Sequence, residues 1–342
     1  MSDGIVTRLT GTLSLLLLIF IEGYSQEVSA PPVRIMFYNV ENLFDTFNDT
    51  LTEDDEFLPY GLRRWNSGRY YAKISSVFKT ITAAGEWDPP DLIGLCEVEN
   101  RKVLEDLIYG TNLSKYDYAI LHSDSPDPRG IDVCLVYRKD VVTVTSYRFM
   151  IPAVTGLDRF TSRSVLYAKC LIMGDTLHLF VNHWPSRRGG VLAGESQRLL
   201  IAELVKARAD SIASLSGGKA KIIMMGDFNS TPDDNVISQL AGRYGSGLTM
   251  VNLAADKPPQ EGSYRYMGTW ELIDQILVSE DLLNYNKGLF TDRDMFTIFR
   301  PDFLLIKDPA YPGQSPFSTY SGYRYRGGYS DHLPVLLDLK VR

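Results

Sequence analysis

From Val33 onward the chain alternates short apolar runs with polar clusters. Runs at residues 33–40, 91–98, 131–137, 164–173, 176–182, 221–225, 272–278 and 335–339 read as strands. Several are apolar at odd and even positions alike, the pattern of strands buried on both faces. Residues 142–145 alternate instead. Three stretches have helical spacing. Tyr71, Ile74, Phe78 and Ile81 follow Asn66-Ser67, which can cap a helix. Residues 101–109 form a shorter candidate, and Ile201, Leu204, Val205, Ala209 and Ile212 mark one face of a long helix starting near Glu195. Helices set between strands, together with strands that also run consecutively, predict mixed sheets covered by helices. Two sheets packed face to face fit this order; periodicity alone leaves a single open sheet as the alternative.

The first residues follow a different pattern. Arg8 precedes an uncharged run at 9–21 that is rich in Leu, and the small residues Gly23 and Ser25 follow it. This is the layout of a secretory signal. It predicts a signal peptide at 1–25, a short mature tail at 26–32, one domain at 33–342, and a secreted or periplasmic location. The apolar run is short for a bilayer span, so no stable membrane span is expected after cleavage; an uncleaved anchor is the alternative.

The 342 residues, 44% hydrophobic and 23% charged, have the composition of an ordinary globular protein. The formal charge of −7 becomes −6 once Asp3, Arg8 and Glu22 leave with the signal. Nucleic-acid affinity usually rests on a basic patch, so this charge argues against a polyanion partner, although an acidic site that holds metal draws phosphates in locally. Cys96, Cys134 and Cys170 lie in apolar runs, odd in number and without zinc spacing. They read as buried free thiols.

Polar residues sit at the ends of the apolar runs. The first ends in Asn39-Val-Glu41, where an amide and a carboxylate two positions apart would share one side of a strand. The second ends in Glu97, and another in Asn182-His183-Trp184-Pro185-Ser186-Arg187. Gly226-Asp227-Phe228-Asn229 ends a fourth with a second same-side acid and amide, Asp274 is embedded in an apolar run, and Ser330-Asp331-His332 precedes the last strand. Singly, each fragment reads as turn chemistry or a structural acceptor. Six such fragments together are hard to obtain from turn preferences. His122 and His178 carry no such context.

In this order the fragments resemble the endonuclease/exonuclease/phosphatase superfamily, the DNase I-like fold, over essentially the whole chain from Val33 to Leu339. The stretch 38–45 and Asn182-His183 are most similar to secreted bacterial members described as extracellular nucleases. The resemblance implies an α/β fold, a four-layer sandwich with two mixed sheets inside and helices outside. It implies that Glu97 is the principal metal ligand, with Asn39 beside it in the metal and phosphate site. Glu41 stands where many members have an aspartate, which places it in the metal shell, and Asp331 matches a metal-side acid. His183 would contact phosphate or the leaving oxygen, Asp227 would orient or deprotonate water, and Asn229 would bind phosphate. His332 would face the scissile phosphate, with Asp274 orienting it.

The residue types suit the chemistry without the family. Hard oxygen donors favour Mg²⁺ or Mn²⁺, with Ca²⁺ an alternative supporting ion. An acid paired with a histidine fixes its tautomer and favours its charged form. Substrate class stays open at this level. Arg129 and Arg187 are candidate phosphate contacts, with Arg188 beside the latter. Aromatics and arginines interleave at 320–329 in a pattern that suits bases and phosphates or a loop packed on its own tyrosines. A nuclease acting on DNA or RNA, a phosphatase or phosphodiesterase acting on a lipid headgroup or small phosphoester, and a non-catalytic binding protein are the three readings. No obligate protein partner is inferred.

Overall fold

The computed structural model describes residues 31–86, 88–152, 162–187, 194–258, 260–284 and 288–342. The predicted signal segment lies outside them, as does Arg188. Two seven-stranded mixed sheets form the centre. In the first, the spatial order is Leu289–Phe290, Val335–Val341, Val33–Leu43, Leu92–Val98, Asp132–Arg138 and Tyr118–Leu121, and Phe296–Ile298 also pairs with Val335–Val341. In the second it is Val142–Met150, Val165–Ile172, Asp175–His183, Lys221–Asp227, Asp274–Ser279, Thr249–Asn252 and Gly242–Arg243.

The double-sided apolar runs have a direct cause. Ile35 and Phe37 point between the sheets, where they meet Leu166, Leu179, Val181, Ile223 and Met225. Met36, Tyr38 and Val40, at the other parity, meet helix residues Ile74, Val77, Ile81, Val103 and Leu107. Ile222 and Met224 likewise turn outward to Ile201, Val205 and Ala209. The result is helix, sheet, sheet, helix, so the four-layer expectation holds. Gly94 is needed where the sheets approach: a Cβ there would stand 2.5 Å from Met225 Cε. The three cysteines are buried and free.

Helix Ser67–Gly85 begins where the cap predicts, with the Asn66 side chain accepting from the Arg69 N–H. Its buried stripe is offset from the expected one. Tyr70, Lys73, Ile74, Val77 and Ile81 face inward, whereas Tyr71 is 58% exposed. Helices Arg101–Ile108 and Glu195–Ser214 match the other two expected segments. No helix among the described residues is long and apolar enough to cross a membrane.

One topological feature builds the site. Val33–Leu43 runs parallel to Leu92–Val98, and Asp175–His183 runs parallel to Lys221–Asp227, each pair joined through a helix. Parallel neighbours put their C-terminal ends side by side. Asn39 therefore pairs with Cys96, next to Glu97, and His183 pairs with Asp227. The antiparallel strand Asp274–Ser279 starts at that same end, with Asp274 opposite Asp227.

Candidate active site

The Asp227 carboxylate, 1% exposed, is the point where the strand ends meet. Its Oδ2 accepts from Asn39 Nδ2 at 3.1 Å and lies 3.7 Å from His183 Nε2 and 3.9 Å from His332 Nε2. Its Oδ1 accepts from the Asn229 backbone N–H at 2.9 Å. Two histidines from distant parts of the sequence thus address one carboxylate oxygen. Asp274 Oδ2 sits 2.7 Å from His332 Nδ1 and also accepts from Ser263 Oγ at 2.6 Å. The loop carrying His332 is tied to the first strand, because Ser330 Oγ donates to the Asn39 carbonyl at 2.7 Å and accepts from the His332 N–H at 3.0 Å.

Glu97 lies on the other side of His183, with Oε1 3.9 Å from its Nε2. Oε2 accepts from the Asn42 N–H at 3.0 Å, and Arg129 Nη2 is 3.8 Å from Oε1 while donating to Asn42 Oδ1 at 2.8 Å. Asp331 is at the open edge, its side chain 44% exposed and Oδ1 4.0 Å from His332 Nε2.

The electrostatics separate the two histidines. Burial lowers the proton affinity of both. For His332 the charges of Asp274, Asp331 and Asp227, with the Asp274 hydrogen bond, overcome burial and raise its pKa well above the ordinary value. For His183 burial goes unopposed, and Arg163, Arg129 and His332 push its pKa further down. The surroundings thus favour the imidazolium form of His332 and the neutral form of His183. Burial and the nearby Asp274 push Asp227 up to about 7 against His332 and its hydrogen bonds. Burial also acts to raise Glu97, but Arg129, His332, Arg163 and the Asn42 N–H outweigh it and hold the carboxylate ionised.

Backbone geometry marks the same place. Of the eight non-glycine residues with positive φ among those described, Glu41, Asn42, Glu97 and Asn229 stand at these strand ends. Such conformations cost on the order of 1–3 kcal/mol each and cluster where function over-determines the backbone. They also overturn the same-side argument from alternation. Regular pairing is interrupted between Asn39 and Leu43, and φ is 50° at Glu41. The structure accordingly does not bring Glu41 to the Asp227 group. Its Oε2 accepts from the Thr319 N–H at 2.6 Å and lies 4.0 Å from Lys73 Nζ, and its Oε1 accepts from the Tyr320 N–H at 3.4 Å. Asn229 likewise spends its side-chain amide on the Trp184 carbonyl at 3.0 Å. Arg187 is paired with Glu271.

Sequence reasoning missed two buried cations that act on the residues of the site. Arg163 pairs with Asp127 Oδ2 at 2.8 Å and donates to the Trp184 carbonyl at 3.2 Å. Lys73 reaches from the first helix to Thr319 Oγ1 at 2.6 Å and the Tyr329 carbonyl at 2.5 Å. The one signal for Lys73 was a charge beside Ile74 inside an apolar stripe; Arg163 gave only a charge ahead of a strand. His122 pairs with Asp132 at 3.1 Å and His178 with the Tyr167 hydroxyl at 2.8 Å, both structural contacts.

Among the described residues, two three-residue groups have donor atoms within 4.8 Å of one another: Asp227, Asp274 and His332, and His122, Asp124 and Asp132. In the second, Asp132 is occupied by His122 and by the Ser125 N–H. In the first, a metal on His332 Nδ1 would have to break the 2.7 Å bond to Asp274. The oxygen donors of Glu97, Asn39 and Asp331 suit a hard divalent ion better.

A model of the endonuclease/exonuclease/phosphatase family matches residues 34–341. No curated protein sequence matches. Among solved structures the chain is similar to an endonuclease/exonuclease/phosphatase from Bacteroides vulgatus, at 18% identity and a TM-score of 0.57 over 92% of this chain and 100% of that one. It is similar to a mannosyl-6-phosphatase from Bacteroides thetaiotaomicron, at 15% identity and 0.56 over 90% and 99%. It is also similar to D. rerio TDP2 in complex with a single-strand DNA product, at 14% identity and 0.53 over 90% and 98%. At these identities the structures speak for the fold, and the family model covers almost the full length: the chain belongs to the endonuclease/exonuclease/phosphatase family.

Proposed function

We propose that the mature chain is a secreted, metal-dependent phosphodiesterase whose substrate is nucleic acid. The observation that carries the reading is the convergence of His183, His332 and Asn39 on one Asp227 oxygen, with Asp274 behind His332. Family members are hydrolases of phosphoesters. Glu97, with Asn39 and Asp331, would hold Mg²⁺ or Mn²⁺; when bound, the ion neutralises charge that grows on the phosphoryl oxygens. Glu41 is a brace for the 319–320 backbone in this reading.

The chain's own groups divide the remaining work. Asp227, with proton affinity near neutrality, takes a proton from the attacking water, since a base works best with a pKa near the working pH. His332 carries a proton on Nε2 toward the reacting phosphate, and Asp274 keeps it there. His183, neutral, orients a phosphoryl oxygen from the other side. Asn229 and Trp184 fix the strand end that carries Asp227, and Arg129 holds Glu97 charged.

A nucleic-acid substrate is favoured by the likeness of residues 38–45 and Asn182-His183 to secreted bacterial nucleases and by the similarity to TDP2 with its DNA product. The mannosyl-6-phosphatase supports a small phosphoester as the second reading. Assay of the purified mature chain on plasmid DNA, RNA, a sphingomyelin analogue and an inositol phosphate, with Mg²⁺ and with chelator, separates them. Nicking of plasmid or cleavage of RNA that chelator abolishes is expected. Turnover confined to a monoester or lipid would overturn the nuclease reading.

A further inference from the structure

A cleft of ≈ 200 Å³ opens beside the site, with Asp331 on its wall. It is lined also by Arg265, Asp308, Tyr311, Ser318 and Arg326. Its volume exceeds the roughly 150 Å³ that accommodates one benzene-sized ring. The charges in it are unequally occupied. Arg265 is paired with Asp308 at 3.1 Å and donates to the carbonyls of Gly268, Pro312 and Gln314. Asp308 also accepts from the N–H groups of Ala310 and Tyr311. These two neutralise each other and shape the cleft.

Arg326 differs. Among the described residues no carboxylate lies in ion-pair range of its guanidinium and no acceptor takes a hydrogen bond from it; Phe317 lies beneath it, 5.7 Å from ring centroid to Cζ. Arg63 and Arg69, which reach the tyrosines of the same stretch, are committed elsewhere: Arg63 to Glu56 and the rings of Tyr320 and Tyr323, and Arg69 to the Tyr325 ring and the Arg63 carbonyl. A guanidinium in a cleft without an acceptor fits an anionic group of the ligand, and its planar fork matches phosphate. Opposite in character is Tyr311, whose ring lies on Gly268. A Cβ at Gly268 would stand 2.9 Å from the ring, so glycine, at φ +82°, is required there. Tyr311 is 42% exposed and offers its free side to the cleft.

We propose that this cleft receives a second phosphate of the substrate, the one adjoining the phosphate under attack, with Arg326 as its cation and Tyr311 as the wall for the attached ring. Asp331 belongs to both spaces and so links the cleft to the reacting phosphate. The inference rests on the nuclease reading, because a strand carries a phosphate on either side of each nucleoside and a simple monoester carries one.

The test compares binding of thymidine 3′,5′-bisphosphate and thymidine 5′-monophosphate by calorimetry, in wild type, Arg326→Ala and Arg326→Lys. Wild type should prefer the bisphosphate by about tenfold, in line with one charge-assisted contact. Arg326→Ala should lose that preference with an unchanged melting temperature, and Arg326→Lys should keep part of it. The salt dependence of single-strand binding should flatten by about 0.7 in log–log slope, the value of one phosphate contact. A wild type without preference, or an Arg326→Ala protein that retains it, overturns the proposal. Preference through Arg326 in a protein that cleaves neither DNA nor RNA would uphold the second-phosphate site and refute the nuclease reading.

Discussion

Replacing Asp274 by asparagine tests the division of labour between the two histidines. Asn keeps the shape of the side chain and can still meet Ser263 Oγ, which is 2.6 Å from Asp274 Oδ2. What disappears is the charge 2.7 Å from His332 Nδ1, inside a pair whose side chains are 1% and 7% exposed. Burial lowers the His332 pKa, and Asp274 is the strongest of the groups that overcome it. The variant should therefore hold His332 with a lower proton affinity, its imidazolium less populated and its neutral form free to adopt the wrong tautomer. Losing one transition-state donor costs about 10²–10³ in turnover, and losing the orienting acid of a buried acid–histidine pair has cost about 10⁴ in a serine protease. A fall of roughly 10²–10⁴ in kcat is expected, read on bis(4-nitrophenyl) phosphate with saturating Mg²⁺.

The pH profile carries a second sign. A raised histidine pKa keeps the imidazolium populated to higher pH, so its loss moves the alkaline limb to lower pH. Burial and Asp274 together raise Asp227 to about 7 against the His332 charge; losing the Asp274 charge lowers the proton affinity of Asp227 by more than a weaker His332 charge raises it, so the acid limb moves the same way, by less. The whole bell should slide toward acid. Turnover within threefold of wild type, or an alkaline limb that stays in place, would refute the assignment of His332 as a charged donor held by Asp274.

Chelation and Glu97→Ala should each abolish turnover while the melting temperature changes little; full turnover in excess chelator would sink the metal mechanism. His183→Ala and His332→Ala should each cost on the order of a hundredfold or more. Their double variant should lose much less than the product, because both rings serve one Asp227 oxygen and groups acting as a unit are non-additive. If the histidines only cap strands, stability falls and the folded fraction keeps its turnover. N-terminal sequencing of exported protein should read from Gln26, and retention of Met1 would count against the signal. Glu99 has its pKa raised to about 8 by burial, with Asp45, Asp54 and Asp49 adding to it. Its protonated form is favoured on folding, so its share of stability is full below about 4.5 and is lost as pH rises through about 8. Glu99→Gln should thus melt higher than wild type at pH 9 and not at pH 4.5.

The layers and the strand ends were legible in the sequence. Runs such as Ile222-Ile-Met-Met225 are apolar at both parities because Ile223 and Met225 enter the inter-sheet core while Ile222 and Met224 meet a helix. Burial on two faces leaves polar residues room only at the ends, which is why Asn39, Glu97, His183 and Asp227 stood out. Alternation failed just past those ends. It assumes extended backbone, and the positive φ of Glu41 sends its carboxylate to Thr319 and Lys73, with a partner loop 278 positions away. Lys73 and Arg163 look like ordinary surface charges in one dimension, since the acids and carbonyls that make their burial tolerable come from elsewhere in the chain. At 320–329 arginines and aromatics look alike along the chain; only the fold decides that Tyr320, Tyr323 and Tyr325 take Arg63 and Arg69 from a distant segment as their cations while Arg326 of the stretch itself faces a cleft. Local sequence determines which residues must be buried or capped. Which charge meets which partner is set by long-range packing, because electrostatic pairing depends on distance through space and not along the chain.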